Sequence, residues 1–532
     1  MPRRRFFPSA LCLLIAIAFF LYRYEFIAEN SQARIDARQF DTSFSPPLKA
    51  VNDENTLLTV APNELPGYTG WARPELTDAG RFRIVTEPSS TAIAGQEWEI
   101  TVECSSCTSD SWFYLRAYGP AIITGTVNSE SPGRYRLRFL PIDPGIYTVE
   151  VVLTFSAVPS LTDFPLQDTT KVPNYEGYLL PGFPIFLTVQ GNTPPRETQL
   201  PYCTIDQLTT TNHHLSPTTR ARWKLIDSIR SSTHTKTVPG VDTIQLGAYQ
   251  QSFQGLGLRF SYERTDCRIV GVPDAKFHPI EDCIASLFKP LHIILIGDSV
   301  MRLQRSVLEG WMKQMIDSGQ AKITFYELYG GTLRSERLSG PKISTIPQEH
   351  ASSNEQKIVL FNSGLHDIHR LCGDEWKDDR STYLNDSELQ QSCVYMYQIA
   401  LDILFTSVLQ IPQVDLFVFQ TTTAGWPKYG NYGVSWSPID GQGLPLDAGF
   451  VERFNHIAIA YISKMKQGGA YSTFHVMDGY WVSLPRPDNR EISKKADIGK
   501  KLSHPGHEVT YAMVRFFSMM VLQTICPAVL PA

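Results

Sequence analysis

Beyond Arg81 the apolar positions of the chain follow two successive rhythms. From Arg81 to Gly191 they form short β-rich runs, among them Trp98-Glu99-Ile100-Thr101-Val102, Trp112-Phe113-Tyr114-Leu115 and Tyr135-Arg136-Leu137-Arg138-Phe139, separated by Gly and Pro turns. Gly145 to Val152 adds a late strand of the same alternating kind. This spacing predicts an immunoglobulin-like β-sandwich over residues 81–191, whose plainest role is a spacer or docking module. Residues 192–290 are irregular, with Pro194-Pro195 and a Thr-rich polar stretch, and read as a lead-in to a further domain. The second rhythm starts at Leu291. Leu291 to Ile296 is a buried-strand run, and Val300, Leu303, Val307, Leu308, Trp311, Met312 and Met315 then share one helical face that stops at Gly319. Strands are predicted again at Ile323 to Leu328, Ile358 to Phe361, Val414 to Thr421 and Thr473 to Met477, with helices near 388–410, 447–466 and 508–525. Such alternation implies a parallel sheet covered on both faces, a three-layer α/β domain over 291–532. Ligands of open α/β sheets bind beyond the carboxyl ends of the strands, which is where chemistry is to be sought.

The N-terminus has a different character. Arg3-Arg4-Arg5 precedes an apolar run from Phe6 to Tyr22, followed by Arg23. The run is long for a cleaved signal peptide and at the lower edge of a membrane span. With the basic cluster on its N-terminal side, residues 1–27 read as an uncleaved signal anchor that leaves the rest of the chain luminal or extracellular, a single-pass type II arrangement. A cleaved secretion signal is the alternative. Residues 28–80 are polar and Pro-punctuated and read as a stalk.

Composition narrows the class. A length of 532 residues makes the chain multidomain, and 48 Lys+Arg against 53 Asp+Glu leave a net charge of −5, too even for a nucleic-acid footprint. Of nine cysteines, Cys12 lies in the predicted anchor, and the other eight permit four disulfides in an oxidising compartment. Cys267 with Cys283 and Cys372 with Cys393 are plausible local staples. Cys104-Ser-Ser-Cys107 lacks a second pair at zinc spacing and reads as a local bridge. Asn385-Asp386-Ser387 is a glycosylation sequon, which predicts a surface position.

Three segments lie at the carboxyl ends of predicted strands or just before the last helix. In Gly297-Asp298-Ser299-Val300-Met301-Arg302, a Ser at a strand-to-helix turn presents its hydroxyl above the sheet, with its own N–H available to an oxyanion. The competing reading has Ser299 merely capping the helix. The other two are Phe361-Asn362-Ser363-Gly364-Leu365-His366-Asp367 and Leu502-Ser503-His504-Pro505-Gly506. His366, Asp367, His369 and Cys372 form a cluster that could suit a metal, but with Cys372 expected to be oxidised no metal site is assigned. Trp426 and Trp436 flank a Gly/Tyr/Asn-rich loop and read as loop anchors before sugar contacts.

Taken in order, Gly-Asp-Ser after the first strand, Gly-x-x-Asp after a later strand and His-Pro before the last helix resemble blocks one, three and five of the SGNH/GDSL hydrolase superfamily. The GDSxxR form with Arg302, the NSGLHD turn, the β-sandwich and the N-terminal anchor together resemble its PC-esterase branch, of the NXPE (neurexophilin and PC-esterase) type, over roughly residues 81–532. The resemblance implies an immunoglobulin-like domain followed by a flavodoxin-like three-layer hydrolase domain. It makes Ser299 the nucleophile and His504 the general base, because an unassisted hydroxyl attacks poorly at neutral pH. Gly330 or Gly331 is similar to the block-two Gly whose N–H faces the oxyanion. His366 stands where that family carries an Asn donor, so His366 or Asn362 would supply this hydrogen bond. The acid departs from the pattern as well. Leu502 and Lys501 fill the places where an Asp is common, leaving Asp497 as the assigned third member, with Asp488 and Asp478 nearby. A Ser-His dyad is the alternative, since the third residue chiefly orients the imidazole.

The implied activity is that of a membrane-anchored esterase or O-acetyltransferase of the Golgi or another secretory compartment, acting on carbohydrate or glycoconjugate esters without a cofactor. The rival is a non-catalytic cell-surface binding protein that keeps the hydrolase fold.

Overall fold

A computed structural model of the chain describes residues 81–109, 111–156, 178–195, 199–209, 221–225, 260–270, 279–338, 341–351, 354–372, 380–425, 448–467, 473–486, 490–492 and 500–527. The expected anchor, the stalk, the loop carrying Trp426 and Trp436, Asp488 and Asp497 lie outside the described residues. Among the described residues no helix is long and apolar enough to cross a membrane.

Two sheets, antiparallel except where β2 joins the larger one parallel to β10, form the first layer pair. The smaller has the order β1 (Phe82–Ile84), β3 (Trp98–Cys104), β7 (Arg134–Phe139), β6 (Thr126–Ser131). Strand β7 shows why it forms. Tyr135, Leu137 and Phe139 turn inward, while Arg134, Arg136 and Arg138 face out and pair with Glu103, Glu130 and Glu99 on neighbouring strands and with Glu97 just before β3. The larger sheet contains β2 (Thr91–Ile93), β4 (Trp112–Tyr118), β5 (Ala121–Thr124), β8 (Gly145–Phe155), β9 (Tyr178–Leu179) and β10 (Ile185–Gln190). Its inner face meets the smaller sheet, with the Phe113 and Tyr135 rings 4.6 Å apart across the core.

The stretch read as a lead-in contributes two strands to that larger sheet, β11 (Ala221–Leu225) and β12 (Phe260–Arg264), which extend it beyond β5. Their aromatic residues supply the reason. Trp223 and Tyr262 pack edge to face at 5.3 Å, and Tyr262 meets Phe516 of the last helix, so the sheet edge is covered by the second domain. Arg222 also forms a buried ion pair with Asp143 at 2.8 Å. The Tyr114 hydroxyl donates to the Leu484 carbonyl at 2.8 Å and the Trp223 indole to the Val482 carbonyl at 2.9 Å. The sandwich is thus fastened into the α/β domain by buried hydrogen bonds.

In that domain five parallel strands lie in the order β14 (Ala321–Glu327), β13 (Leu291–Gly297), β15 (Gln356–Phe361), β16 (Val414–Gln420), β17 (Phe474–Met477). All seven residues of β13 are buried, as expected of a strand covered on both faces. On one face Ile293, Leu295, Leu360 and Val418 pack with residues of α1 (Ser299–Trp311) and α7 (His507–Ile525). On the other, Ile294, Ile296, Val359 and Phe361 pack with α3 (Gly364–Cys372), α4 (Cys393–Val408) and α5 (Ala448–Gln467). Between these run α2 (Thr332–Arg337) after β14 and α6 (Gly479–Ser483) after β17. The helix expected to continue to Ile316 breaks at Met312, and a separate turn follows at Lys313–Asp317.

The disulfides are Cys104–Cys107, Cys203–Cys267, Cys283–Cys526 and Cys372–Cys393. The Cys267–Cys283 staple is corrected. Cys203 lies beside Cys267 because its N–H donates to the Arg268 carbonyl, and Cys283 meets the end of α7 instead. Asn385 is exposed and caps the short helix Asp386–Leu389.

Candidate active site

Strand β13 ends at Gly297, and Asp298 turns the chain into α1. The helix cap is Asp298, whose Oδ1 accepts from the Val300 N–H at 2.9 Å, so the hydroxyl of Ser299 is not used as the cap. Ser299 is the first helical residue, where an N–H has no partner within the helix and the helix dipole favours negative charge. Its Oγ lies 2.6 Å from His504 Nε2, a contact made across 205 residues of sequence. One turn further along, Arg302 bonds Glu327 at the end of β14 at 2.6 Å, tying the helix start to the neighbouring strand.

His504 arrives on β19 (Lys500–Pro505), which pairs antiparallel with β18 (Arg490–Ile492). Gly506 then caps α7. The start of α7 is fixed from the sandwich side. Glu508 accepts from the Phe260 N–H at 2.9 Å and pairs with buried Arg486, whose guanidinium lies 4.7 Å from the Trp223 ring centre and 4.8 Å from that of Phe260.

Asp298 does more than cap. Its Oδ2 accepts from the Leu365 N–H at 3.0 Å, joining the turn that carries Ser299 to the start of α3. Gly364 makes this approach possible, because it sits at φ +73° and a Cβ there would collide with the Asp298 carboxylate. Asn362 is 1 % exposed, and its side-chain amide packs against Gly297, directly below the turn that carries Ser299. Among the described residues its Oδ1 has no hydrogen-bond partner. His366 is half-buried in the first turn of α3. Gly331 is placed at the cap of α2, but its N–H, expected to face an oxyanion, donates to the Leu328 carbonyl at 3.1 Å.

The acids separate clearly. Asp478 accepts from the Trp481 N–H at 2.9 Å and the Thr421 hydroxyl at 3.3 Å, capping α6, and none of these bonds goes to His504. Burial pushes its carboxyl up to about 6. Asp367 is buried and receives both the Thr332 N–H and the Thr332 hydroxyl at 2.6 Å. Burial raises it to about 7, the Thr332 bonds opposing and the nearby Asp298 adding to the rise. Cys372, in the His366–Asp367 segment, is held in its disulfide with Cys393.

Ser299 and His504 are therefore brought together, with Asn362 and α3 alongside the Ser299 turn. The roles of Asp298, Asp367 and the Arg486–Glu508 pair were not found from the sequence. Asp298 had a local signal, since Asp is as good a cap as Ser, but nothing in the order of residues distinguishes the two.

No family model matches the chain, and no curated protein does. Among solved structures, the Lin-41 filamin domain is 18% identical, covering 20% of this chain and 91% of its own, with a TM-score of 0.15. A putative glycoside hydrolase from Bacteroides vulgatus ATCC 8482 is 8% identical, with a TM-score of 0.14. That match covers 64% of this chain and spans 57% of the hydrolase. With TM-scores this low, the architecture rests on the strand order and packing described above rather than on either likeness.

Proposed function

We propose that the chain is an acyl esterase or O-acyltransferase of the PC-esterase branch of SGNH hydrolases, NXPE type, with an immunoglobulin-like domain ahead of a flavodoxin-like catalytic domain. The observation that carries this reading is the 2.6 Å contact between Ser299 Oγ and His504 Nε2. The strand order β14-β13-β15-β16-β17, with Ser299 directly after β13, supports the flavodoxin-like assignment. Four disulfides support an oxidising, secretory compartment for an enzyme anchored by residues 1–27.

In the proposed reaction Ser299 Oγ attacks the ester carbonyl carbon as His504 Nε2 takes the hydroxyl proton. The oxyanion is stabilised at the N-terminus of α1, and His504 returns the proton to the leaving alkoxide as the C–O bond breaks. A water molecule or a sugar hydroxyl then attacks the acyl-Ser299 ester, giving up its proton to His504, which passes it back to Ser299. Water makes the protein an esterase and a sugar hydroxyl makes it a transferase. Carbohydrate esters are the substrate class that the resemblance implies; Asp497, seven residues before His504, is the proposed third member at a point where this sequence departs from the family's spacing.

A non-catalytic binding role is the second reading, favoured by one observation: the Gly331 N–H is turned to Leu328. Incubation with a fluorophosphonate probe separates the two. Label on the wild type that disappears in Ser299→Ala supports the enzyme, whereas a folded wild type that takes no label supports the binding protein.

A further inference from the structure

We infer that Asp367 is a positioning residue that holds the loop Tyr329–Gly331 in register with the turn carrying Ser299. This inference rests on the acyl-transfer reading above. The loop leaves β14 beside the nucleophile's own strand, since the Leu328 N–H donates to the Gly297 carbonyl at 2.7 Å, two residues before Ser299. It ends at Thr332, the first residue of α2. That helix has only a glycine, Gly331, at its cap and no side-chain cap of its own. Asp367 supplies the cap from another element, accepting from the Thr332 N–H with Oδ1 and from the Thr332 hydroxyl with Oδ2, both at 2.6 Å. Gly331, at φ +98°, lets the carboxylate come this close, because a Cβ there would stand 2.7 Å from Asp367 Oδ1.

The other end of the same helix turn is fastened to the turn that carries Ser299. Leu365, two residues before Asp367 on α3, donates its N–H to Asp298 at 3.0 Å. Two carboxylates thus join three loops that leave adjacent strands. Asp298 binds the Ser299 turn to α3, and Asp367 binds α3 to the Tyr329–Gly331 loop. A six-residue helix gains little from a cap that must be buried to 2 % exposure near a second carboxylate. Geometry held at such a cost fits a site where small displacements of a loop cost rate, since misplacement by about 1 Å can lower turnover on the order of 10²-fold.

The test uses the full chain with p-nitrophenyl acetate, fluorophosphonate labelling of Ser299, and amide hydrogen exchange over residues 328–334. Asp367→Ala and Thr332→Val should lower kcat about 10- to 100-fold with KM changed less than about twofold, and should speed exchange in that segment. Thr332→Ser, which keeps the hydroxyl, should restore kcat, and Asp367→Asn should come close, because its amide can accept from the Thr332 N–H and donate to the hydroxyl. If Asp367→Ala or Thr332→Val is folded and keeps wild-type kcat, or raises KM alone, the inference is overturned while the acyl-transfer reading stands. If Asp367→Ala fails to fold, the Thr332 pair decides by the same criteria. A wild type that neither takes label nor turns over ester overturns the reading and this inference together, with faster exchange in the variants marking the clamp as structural only.

Discussion

Arg486 and Glu508 form a buried ion pair in which Glu508, in the first turn of α7, follows His504 by four residues, and the pair is enclosed by Trp223 and Phe260 from the extended sandwich sheet. The base of the proposed reaction is therefore seated partly by the preceding domain. Removing one partner takes this ion pair away from a buried charge, a loss of about 3–5 kcal/mol for such pairs, whereas replacing both by apolar residues costs much less. Glu508→Ala and Arg486→Ala should each lower the urea midpoint sharply, and Arg486→Met with Glu508→Leu should recover much of the loss. A double variant as unstable as the sum of the two singles would show that the residues act separately.

Ser299→Ala and His504→Ala each break the Ser299–His504 hydrogen bond, a contact worth about 1 kcal/mol. Both should leave the thermal midpoint nearly unchanged and lower p-nitrophenyl acetate turnover by about 10³-fold or more. Turnover kept in His504→Ala would assign the base elsewhere.

Asp367 gives a pH dependence with a definite sign. Its folded-state carboxyl is raised to about 7 from an ordinary 3.8, so the native state binds more protons than the unfolded chain between those values. Its contribution to stability is fully present below the unfolded value and is lost as pH rises through about 7. Wild type should therefore lose stability relative to Asp367→Asn as pH rises from about 4 to 8. Asp478, also raised, is common to both proteins and cancels in the difference. Urea midpoints of the two proteins across that range provide the measurement, and a constant gap would contradict the assignment.

The disulfides should rank by the loop each closes. Cys283–Cys526 spans 243 residues and Cys104–Cys107 spans 3. On the chain-entropy account the first contributes about 5 kcal/mol and the second far less. Paired Cys-to-Ser variants compared by thermal denaturation test this order, and equal losses would refute it.

Local order in the chain set much of this molecule. The period-two runs around Trp98 and Tyr135 and the continuous apolar run from Leu291 are strands, and the period-3.6 faces at Val300, near 447–466 and near 508–525 are helices, because such patterns against a core are written in neighbouring residues. Asp298 and Ser299 were likewise marked as the turn at the end of a buried strand. The short helix Gly364–Cys372 escaped because only two and a half turns of apolar spacing, Leu365, Ile368 and Leu371, announce it. Strands β11 and β12 escaped because β11 pairs with β5, some hundred positions away, β12 joins the sheet only through β11, and the aromatic residues that cover them meet α7 as well as each other. Which hydroxyl faces which imidazole, which aspartate caps a distant helix and which cysteine reaches Cys526 depend on contacts between segments far apart in the chain. Such pairings are selected by the packing of the whole sheet and its helices, a collective property that no local stretch of residues encodes by itself.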